Sequence, residues 1–194
     1  MDERDGQTYK TVKIGDQVWM AENLNYETDN SFCFKDSARY CEKYGRFYTW
    51  AAAMDSAGTW SVNGKECGFN KTCSPTSPVR GVCPEGWHLP DTTEWNTLFT
   101  AVGGWLEASL KLKSTSGWNG DGNGTDDFGF SALPAGGMFD EGYYDNEGNR
   151  AYFWSSMEYD DAEAYYMYLY FFFSDPFQDV NLKFKGFNVR CLKD

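Results

Sequence analysis

Six cysteines in a chain of 194 residues constrain the fold more than any other feature of the sequence. They are Cys33, Cys41, Cys67, Cys73, Cys83 and Cys191. Six cysteines allow many pairings, but the two short spacings at the start of this series can each close a local loop, which leaves Cys83 for Cys191. No C-x-x-C pair occurs, so neither a zinc ribbon nor a thioredoxin-like redox centre is indicated. Disulfides imply an oxidising compartment, and the expectation is therefore a secreted or cell-surface protein.

Charge and length exclude several classes of function. The net charge is -12, so no basic stripe exists that displaces counterions from nucleic-acid phosphates. No apolar segment approaches the roughly 20 residues of a transmembrane helix. The first ten residues, "MDERDGQTYK", are charged and polar and are not a signal peptide, so export is inferred from the cysteines alone. The length predicts a single domain over residues 1–194.

The longest apolar run, Tyr165 to Phe173, contains only Tyr, Met, Leu and Phe. Its aromatic content predicts a strand, in which alternate side chains share a face. One face is predicted to pack in the core: Tyr165, Met167, Leu169, Phe171 and Phe173. The other face carries Tyr166, Tyr168, Tyr170 and Phe172. Two interpretations of this second face stay open: a wet surface that a partner covers, or a strand buried on both sides with its Tyr hydroxyls satisfied inside.

Other segments predict an α+β domain with two helices, small antiparallel sheets, long loops and disulfides. An N-terminal hairpin is expected at about residues 7–24. A short helix is expected over residues 50–54. The second helix has Asp91 as N-cap and Glu94 as its capping-box partner, and ends at Gly103.

Several motifs in order resemble the Fibrobacter succinogenes major paralogous domain: "DGQTYKTVKIGDQVWMAENLNY", "GRFYTWAAAM", "GVCPEGWHLPDTTEW", "TDDFGFSALPAGG", "YFWSSMEY" and "GFNVRC". The resemblance covers nearly the whole chain. It implies a C-type lectin-like fold, in which a late strand is disulfide-linked back towards a helix, as a Cys83–Cys191 bridge would be. It also implies a secreted or surface-anchored bacterial domain that serves adhesion or ligand binding without a catalysed reaction.

The same fold group includes variable proteins that retroelements diversify just before a constant C-terminal ending. The segment before "NVRC" lies in the corresponding place and is rich in Tyr, Phe, Asp and Asn. The predicted ligand-binding surface therefore combines the second face of the aromatic strand with the residues that follow it. Its members are Tyr166, Tyr168, Tyr170, Phe172, Asp175, Phe177, Asp179, Asn181 and Lys183. The predicted partner is a protein or a glycan at a cell surface.

One loop offers hard oxygen ligands for calcium, although no cofactor is required. Asp121, Asn123, Asp126 and Asp127 lie two to three residues apart in the glycine-rich stretch "DGNGTDD". The alternative interpretation is a turn of Asx and Gly residues that holds no ion. The paired Glu-Pro-Asn or Gln-Pro-Asp motif of calcium-dependent sugar binding does not occur.

The sequence favours binding over catalysis. The only histidine, His88, precedes a helix and is interpreted as structural, and no G-x-S-x-G stretch accompanies it. The enzyme alternative comes from the same fold group: formylglycine-generating enzymes, which oxidise a substrate cysteine with a reactive cysteine pair. That chemistry requires free or redox-active thiols.

Overall fold

A computed structural model describes all residues from 1 to 194 and shows a mixed α+β fold. The helices are α1 (Ala38–Tyr44), α2 (Trp50–Ala53), α3 (Thr92–Ala101) and α4 (Trp105–Leu112). A 3-10 turn at Phe34–Asp36 precedes α1. The two predicted helices correspond to α2 and α3. The predicted number was too low, because α1 and α4 are additional.

Eleven strands form four small sheets. The strands are β1 (Thr11–Ile14), β2 (Gln17–Met20), β3 (Ser31–Phe32), β4 (Phe47–Tyr48), β5 (Trp87–His88), β6 (Gly137–Asp140), β7 (Tyr143–Asp145), β8 (Arg150–Glu158), β9 (Glu163–Tyr170), β10 (Phe177–Leu182) and β11 (Leu192–Lys193). The largest sheet has the order β1-β2-β11-β5, and the second has the order β10-β9-β8. β3 pairs with β4, and β6 with β7. All these pairings are antiparallel, as predicted.

The N-terminal hairpin forms where the sequence predicts it. Gly15 and Asp16 make the turn, and Ile14 pairs with Gln17. Gly15 has a φ of 59°, which glycine adopts without strain. The C-terminal strand β11 pairs with both β2 and β5, so the two ends of the chain lie side by side in one sheet.

Three disulfides join the predicted pairs and leave no free cysteine. Cys33–Cys41 links the 3-10 turn to α1, and Cys67–Cys73 closes a surface loop. Cys83–Cys191 joins residues 108 positions apart and lies in the core beside β11. This last bridge ties the C-terminal end to the segment that leads into β5 and α3.

The helix α3 has both halves of its predicted capping box. The Asp91 carboxylate accepts the Glu94 N–H, and the Glu94 carboxylate accepts the Asp91 N–H, each at 2.8 Å. Trp95, Leu98 and Phe99 form its buried face. Helix α4 starts almost at once after α3, because its N-cap, Gly104, belongs to the glycine pair that ends α3.

The three-stranded sheet lies between two hydrophobic cores. Trp154 and Tyr166 face the first core, which also contains Phe187 and the Cys83–Cys191 bridge. Phe153 and Met167 face the second core, which contains the buried face of α3. Strand β8 and much of β9 are therefore covered on both sides, whereas β10 is an edge strand that pairs only with β9.

Candidate binding surface

The predicted aromatic strand exists as β9 but ends at Tyr170, before the run itself ends. Residues beyond Tyr170 form the turn that leads into β10. In the antiparallel register, Tyr168 lies opposite Phe177 of β10 and Tyr152 of β8. Strand β9 thus places its aromatic rings next to rings of β8 and β10. The hairpin of β9 and β10 carries an almost continuous aromatic layer.

The prediction that Tyr166 lies on an exposed face was wrong. Its side chain is 5% exposed and packs against Phe187, with ring centroids 5.0 Å apart, and against Trp154 at 6.2 Å. Burial raises the pKa of the Tyr166 hydroxyl, which lies near Asp179 and Asn181. At this end of the strand, the interpretation with both faces buried is the correct one.

The prediction that Lys183 lies on the binding surface was also wrong. Its side chain is 1% exposed, and its ammonium group donates to the carbonyls of Lys71, Asp160 and Asp161 at 2.7 to 3.1 Å. The Glu158 carboxylate lies 3.0 Å from the same nitrogen. Lys183 therefore acts as an internal cross-link between the sheet and two surface loops.

Five rings at the other end of the hairpin are in contact and partly or largely exposed, and we call them the aromatic surface: Tyr168, Tyr170, Phe172, Phe173 and Phe177. Tyr168 and Phe177 stack with centroids 4.7 Å apart. Phe173 contacts Phe177 at 5.5 Å, Tyr170 at 5.6 Å and Phe172 at 5.4 Å. Phe172 is 72% exposed and Phe173 43%. Phe173 was predicted to be core, but alternation no longer applies once the strand has ended.

A cation borders the aromatic surface on β8. The Arg150 guanidinium lies 4.8 Å from the Tyr170 ring and 5.4 Å from the Tyr168 ring. It also donates to the Tyr152 hydroxyl at 3.1 Å. These contacts hold the two tyrosine rings in place, since a cation over an aromatic face is attractive. No local signal in the sequence points to Arg150, and only its pairing with Tyr170 on the neighbouring strand brings it here.

Lys113 binds the turn that carries Phe172 and Phe173 from the buried side of that turn. This buried ammonium group donates to the carbonyls of Tyr170 at 3.2 Å, Phe171 at 3.5 Å and Phe173 at 3.3 Å. Burial lowers the pKa of Lys113 to about 8, so the group is still mostly charged at pH 7. Because the carbonyls point inward to Lys113, the turn is held while the Phe172 ring projects into solvent.

Helix α4 provides a second anchor for the same turn. The Ser174 carbonyl accepts the N–H groups of Ser109 at 2.8 Å and Leu110 at 3.3 Å. The Ser109 hydroxyl donates to the Phe173 carbonyl at 3.2 Å. The aromatic surface is therefore displayed on a fixed backbone, a condition that reduces the entropy lost on binding.

The polar residues predicted to set specificity lie along β10, but two of them already bind main-chain donors. Asp179 accepts the Val180 N–H, and Asn181 accepts the Leu182 N–H, each at 2.9 Å. Backbone N–H groups that are left free on an edge strand can pair with another chain. The side chains of Asp179 and Asn181 accept two of these N–H groups and so make such pairing less favourable. Asp175 lies half-buried in the turn before Phe177.

The three aspartates among the four predicted calcium ligands do not form one acidic cluster. Nowhere in the chain do three acidic, His or Cys side chains form a group able to hold a metal ion. Asn123 accepts the Trp118 N–H at 3.1 Å, and Asp126 accepts the Ser131 N–H at 2.7 Å. These two hydrogen bonds are those of a turn, and calcium binding at Asp121, Asn123, Asp126 and Asp127 stays a prediction of the sequence.

His88 joins three parts of the fold. Its Nδ1 lies 2.7 Å from the Asp194 carboxylate and its Nε2 lies 2.9 Å from Glu94. Burial lowers the pKa of His88, but the hydrogen bonds and charges of the two carboxylates outweigh burial, so the pKa lies above 6.5. Both ring nitrogens are occupied, in agreement with the structural role that the sequence indicates.

We expect this arrangement to make stability depend on pH. Because the folded-state pKa is raised, the stabilisation is fully present below the unfolded-state value of about 6.5 and is lost as the pH rises through the folded-state pKa. Urea unfolding of the wild type and of His88→Gln between about pH 5.5 and 8.5 tests this expectation. The stability difference between the two proteins should shrink as the pH rises; a difference that grows with pH contradicts the assignment.

Two further features bear on the class of function. All six cysteines are in disulfides, and none is free in this structure. No helix has both the length and the apolar character needed to cross a membrane.

Comparison with known proteins gives one match. The family model described as the Fibrobacter succinogenes major domain matches residues 12–193. No curated protein and no solved structure matches the chain. The mixed α+β architecture is what the structure shows, and the C-type lectin-like label stays a prediction.

Proposed function

The chain belongs to the Fibrobacter succinogenes major domain family, and from this premise we propose that it is a non-catalytic binding module whose aromatic surface contacts a protein partner at a cell surface. The family is a bacterial set of paralogous domains without an assigned function. The proposal therefore depends on the surface itself.

One observation carries the proposal: large rings are exposed on a backbone that the protein holds rigidly. Phe172 is 72% exposed although its turn is bound by Lys113 and by α4. A flexible loop would let such a ring fold back onto the protein. Contiguous exposed apolar surface typically marks an interaction site, and rigid aromatic side chains lose little entropy when a partner covers them.

The apolar character continues onto α4 and favours a protein over a glycan. Leu110, whose N–H binds the turn at Ser174, is partly exposed, and Leu106 one helical turn earlier is 78% exposed. Aliphatic side chains offer a sugar neither a flat ring nor a hydrogen bond. They suit the apolar centre of a protein–protein interface, where aromatic residues dominate the binding energy.

The proposed location is outside the cell or on its surface. Three disulfides in a chain of this size fit an oxidising compartment. Mass spectrometry of the natural protein, isolated with its thiols blocked, would show the three bridges formed if this proposal is correct and six free thiols if it is wrong.

We expect Phe172→Ser and Phe173→Ser to weaken binding by at least about 30-fold each, since central aromatic residues contribute about 2 kcal/mol or more. The probe is a random-peptide display library selected on the wild type. Tyr143→Ser is the matched control, because Tyr143 is also an exposed ring but lies on β7, apart from the aromatic surface. Circular dichroism and urea unfolding should show that all three variants stay folded.

Each outcome of this selection is informative. Peptides that bind Tyr143→Ser but not Phe172→Ser support the proposal. An empty selection, or peptides that bind Phe172→Ser as well as the wild type, contradicts it. A parallel glycan array tests the other partner class: a glycan whose binding depends on Phe172 would replace the protein partner by a sugar.

A further inference from the structure

A concave region shares no residue with the aromatic surface. It is a cleft of about 690 Å³ between the N-terminal hairpin, the end of α1 and the segment from Gly129 to Leu133. Its lining combines polar and apolar residues, with 6 hydrophobic residues among 19. The volume falls within the range of about 300 to 1,000 Å³ that small-molecule sites occupy.

The buried side chain of Arg190 lines this cleft. Its guanidinium donates to the Asn23 side-chain oxygen at 2.6 Å and to the carbonyls of Met20 at 3.2 Å and Ser131 at 3.1 Å, and also to the Phe130 carbonyl. Every one of these acceptors is neutral. The guanidinium also lies 4.6 Å from the centre of the Phe130 ring and 5.7 Å from that of the Phe153 ring. No carboxylate is among its partners, although a buried charge is normally paired with an opposite charge.

The acidic residues around the cleft are engaged elsewhere or exposed. Asp126 binds the N–H and hydroxyl of Ser131. Glu22 binds Lys10 on the rim and the Lys10 N–H. Glu42 is exposed at the rim. Burial lowers the pKa of Arg190, and Asp126 and Glu22 offset this only from a distance.

A residue of the cleft has a polar atom without a hydrogen-bond partner. The Asn25 side-chain oxygen is buried and accepts no hydrogen bond, although its amide nitrogen donates to Gln7 at 3.2 Å. Leaving a buried acceptor unpaired costs about 1 to 3 kcal/mol. The cleft thus combines a cation without a carboxylate partner and an unused acceptor, two features that a ligand with an anionic group and a donor would match.

We propose that this cleft binds a small hydroxylated carboxylate, with its carboxylate facing Arg190 and a hydroxyl donating to the Asn25 side-chain oxygen once the Asn25 amide turns towards the cleft. The carboxylate supplies the missing countercharge, and the hydroxyl fills the unused acceptor. The polar side chains of the lining suit further hydroxyl groups, which makes a uronic acid a fitting probe of the class.

The test is an NMR titration of the full chain with three probes: glucuronate, glucose and acetate. We expect glucuronate to shift the Nε–H resonance of Arg190 and the side-chain amide of Asn25 in a saturable manner. Acetate should bind more weakly, and glucose should not bind. Equal binding of glucose contradicts the role of the charge, equal binding of acetate contradicts the role of the hydroxyl, and no saturable shift overturns the proposal.

Variants at the rim and at the acceptor avoid the risk of unfolding that a change at Arg190 carries. Asn25→Leu should weaken glucuronate binding about tenfold, because the acceptor is lost. Glu42→Gln should tighten it, because it removes a like charge from the rim. Lys13→Gln is the matched control, since Lys13 lies exposed on the same hairpin but does not line the cleft. An Asn25→Leu protein that stays folded and binds as the wild type does would overturn the proposal.

Discussion

Replacing Cys83 and Cys191 with alanine is expected to lower the free energy of unfolding by about 4 to 5 kcal/mol. The two residues are 108 positions apart, and a bridge stabilises the fold mainly by restricting the unfolded chain, the more so the longer the loop it closes. The bridge is also buried in the first core, next to β11, so the C-terminal strand depends on it for its position. Urea unfolding measured by tryptophan fluorescence gives the difference directly.

The matched control is the double variant Cys33→Ala and Cys41→Ala. That bridge spans only 8 positions, and the same entropy relation gives a loss of about 2.5 kcal/mol. Equal losses for the two double variants would show that loop length does not govern the effect.

Lys183→Met is expected to lower the free energy of unfolding by about 3 to 5 kcal/mol, the usual cost of removing one partner of a buried ion pair. Methionine has a similar length but no charge, so the carboxylate of Glu158 and the carbonyls of Asp160 and Asp161 lose their common donor. The melting temperature should fall on the order of 10 °C.

Two further variants make this prediction specific. Lys13→Met changes an exposed lysine in the same way and should have little effect. Combining Lys183→Met with Glu158→Gln should recover about 1 kcal/mol or more, because no unpaired charge is then left beside the buried methionine. If Lys183→Met is as stable as Lys13→Met, the ammonium group is not the cross-link that its contacts indicate.

The elements that the sequence predicted correctly carry local signals. The turn at Gly15 and Asp16 and the capping box of Asp91 and Glu94 both lie within a few residues of the structure they specify. Helix α4 carries no such signal, because the glycines before it end α3 and no side chain caps its own N-terminus. Helix α1 overlaps a disulfide loop and is too short for a helical pattern of hydrophobic residues to be recognised in the sequence.

The aromatic run shows what alternation can and cannot predict. It correctly predicts that Tyr166, Tyr168 and Tyr170 share a face of β9. It does not show that this face is covered by Phe187 at one end and open at the other, since Phe187 arrives from a distant part of the chain. It also does not show that the strand ends before Phe172.

The burial of Lys113 and Lys183 could not be predicted from the sequence, and the physical reason is the same for both. Lysine is ordinarily exposed, and its burial requires acceptors from elsewhere in the chain. Lys183 finds carbonyls 22, 23 and 112 positions away, and Lys113 finds them 57 to 60 positions away. Only the assembled fold brings these carbonyls together.

The structure also limits the hypothesis that the C-terminal segment is diversified. Tyr166, Met167 and Leu169 are buried, so free variation at these positions would damage the core. Variation compatible with the fold is confined to the turn and the outer rings, with Phe172 and Phe173 at its centre. A near-copy of the 3′ end of the gene that differs at the codons of Tyr166 and Met167 as often as at those of Phe172 and Phe173 would contradict this limit.

The central claim is that the rigidly held outer rings of the β9–β10 hairpin are the contact surface. Intermolecular nuclear Overhauser effects between a selected peptide and the isotope-labelled protein test it most directly, because they identify which rings touch the peptide. We predict strong effects from the ring protons of Phe172 and Phe173 and none from Tyr166, which is buried. Effects that come instead from Tyr143, or from the cleft at Asn25, with Phe172 still open to solvent, would contradict the claim.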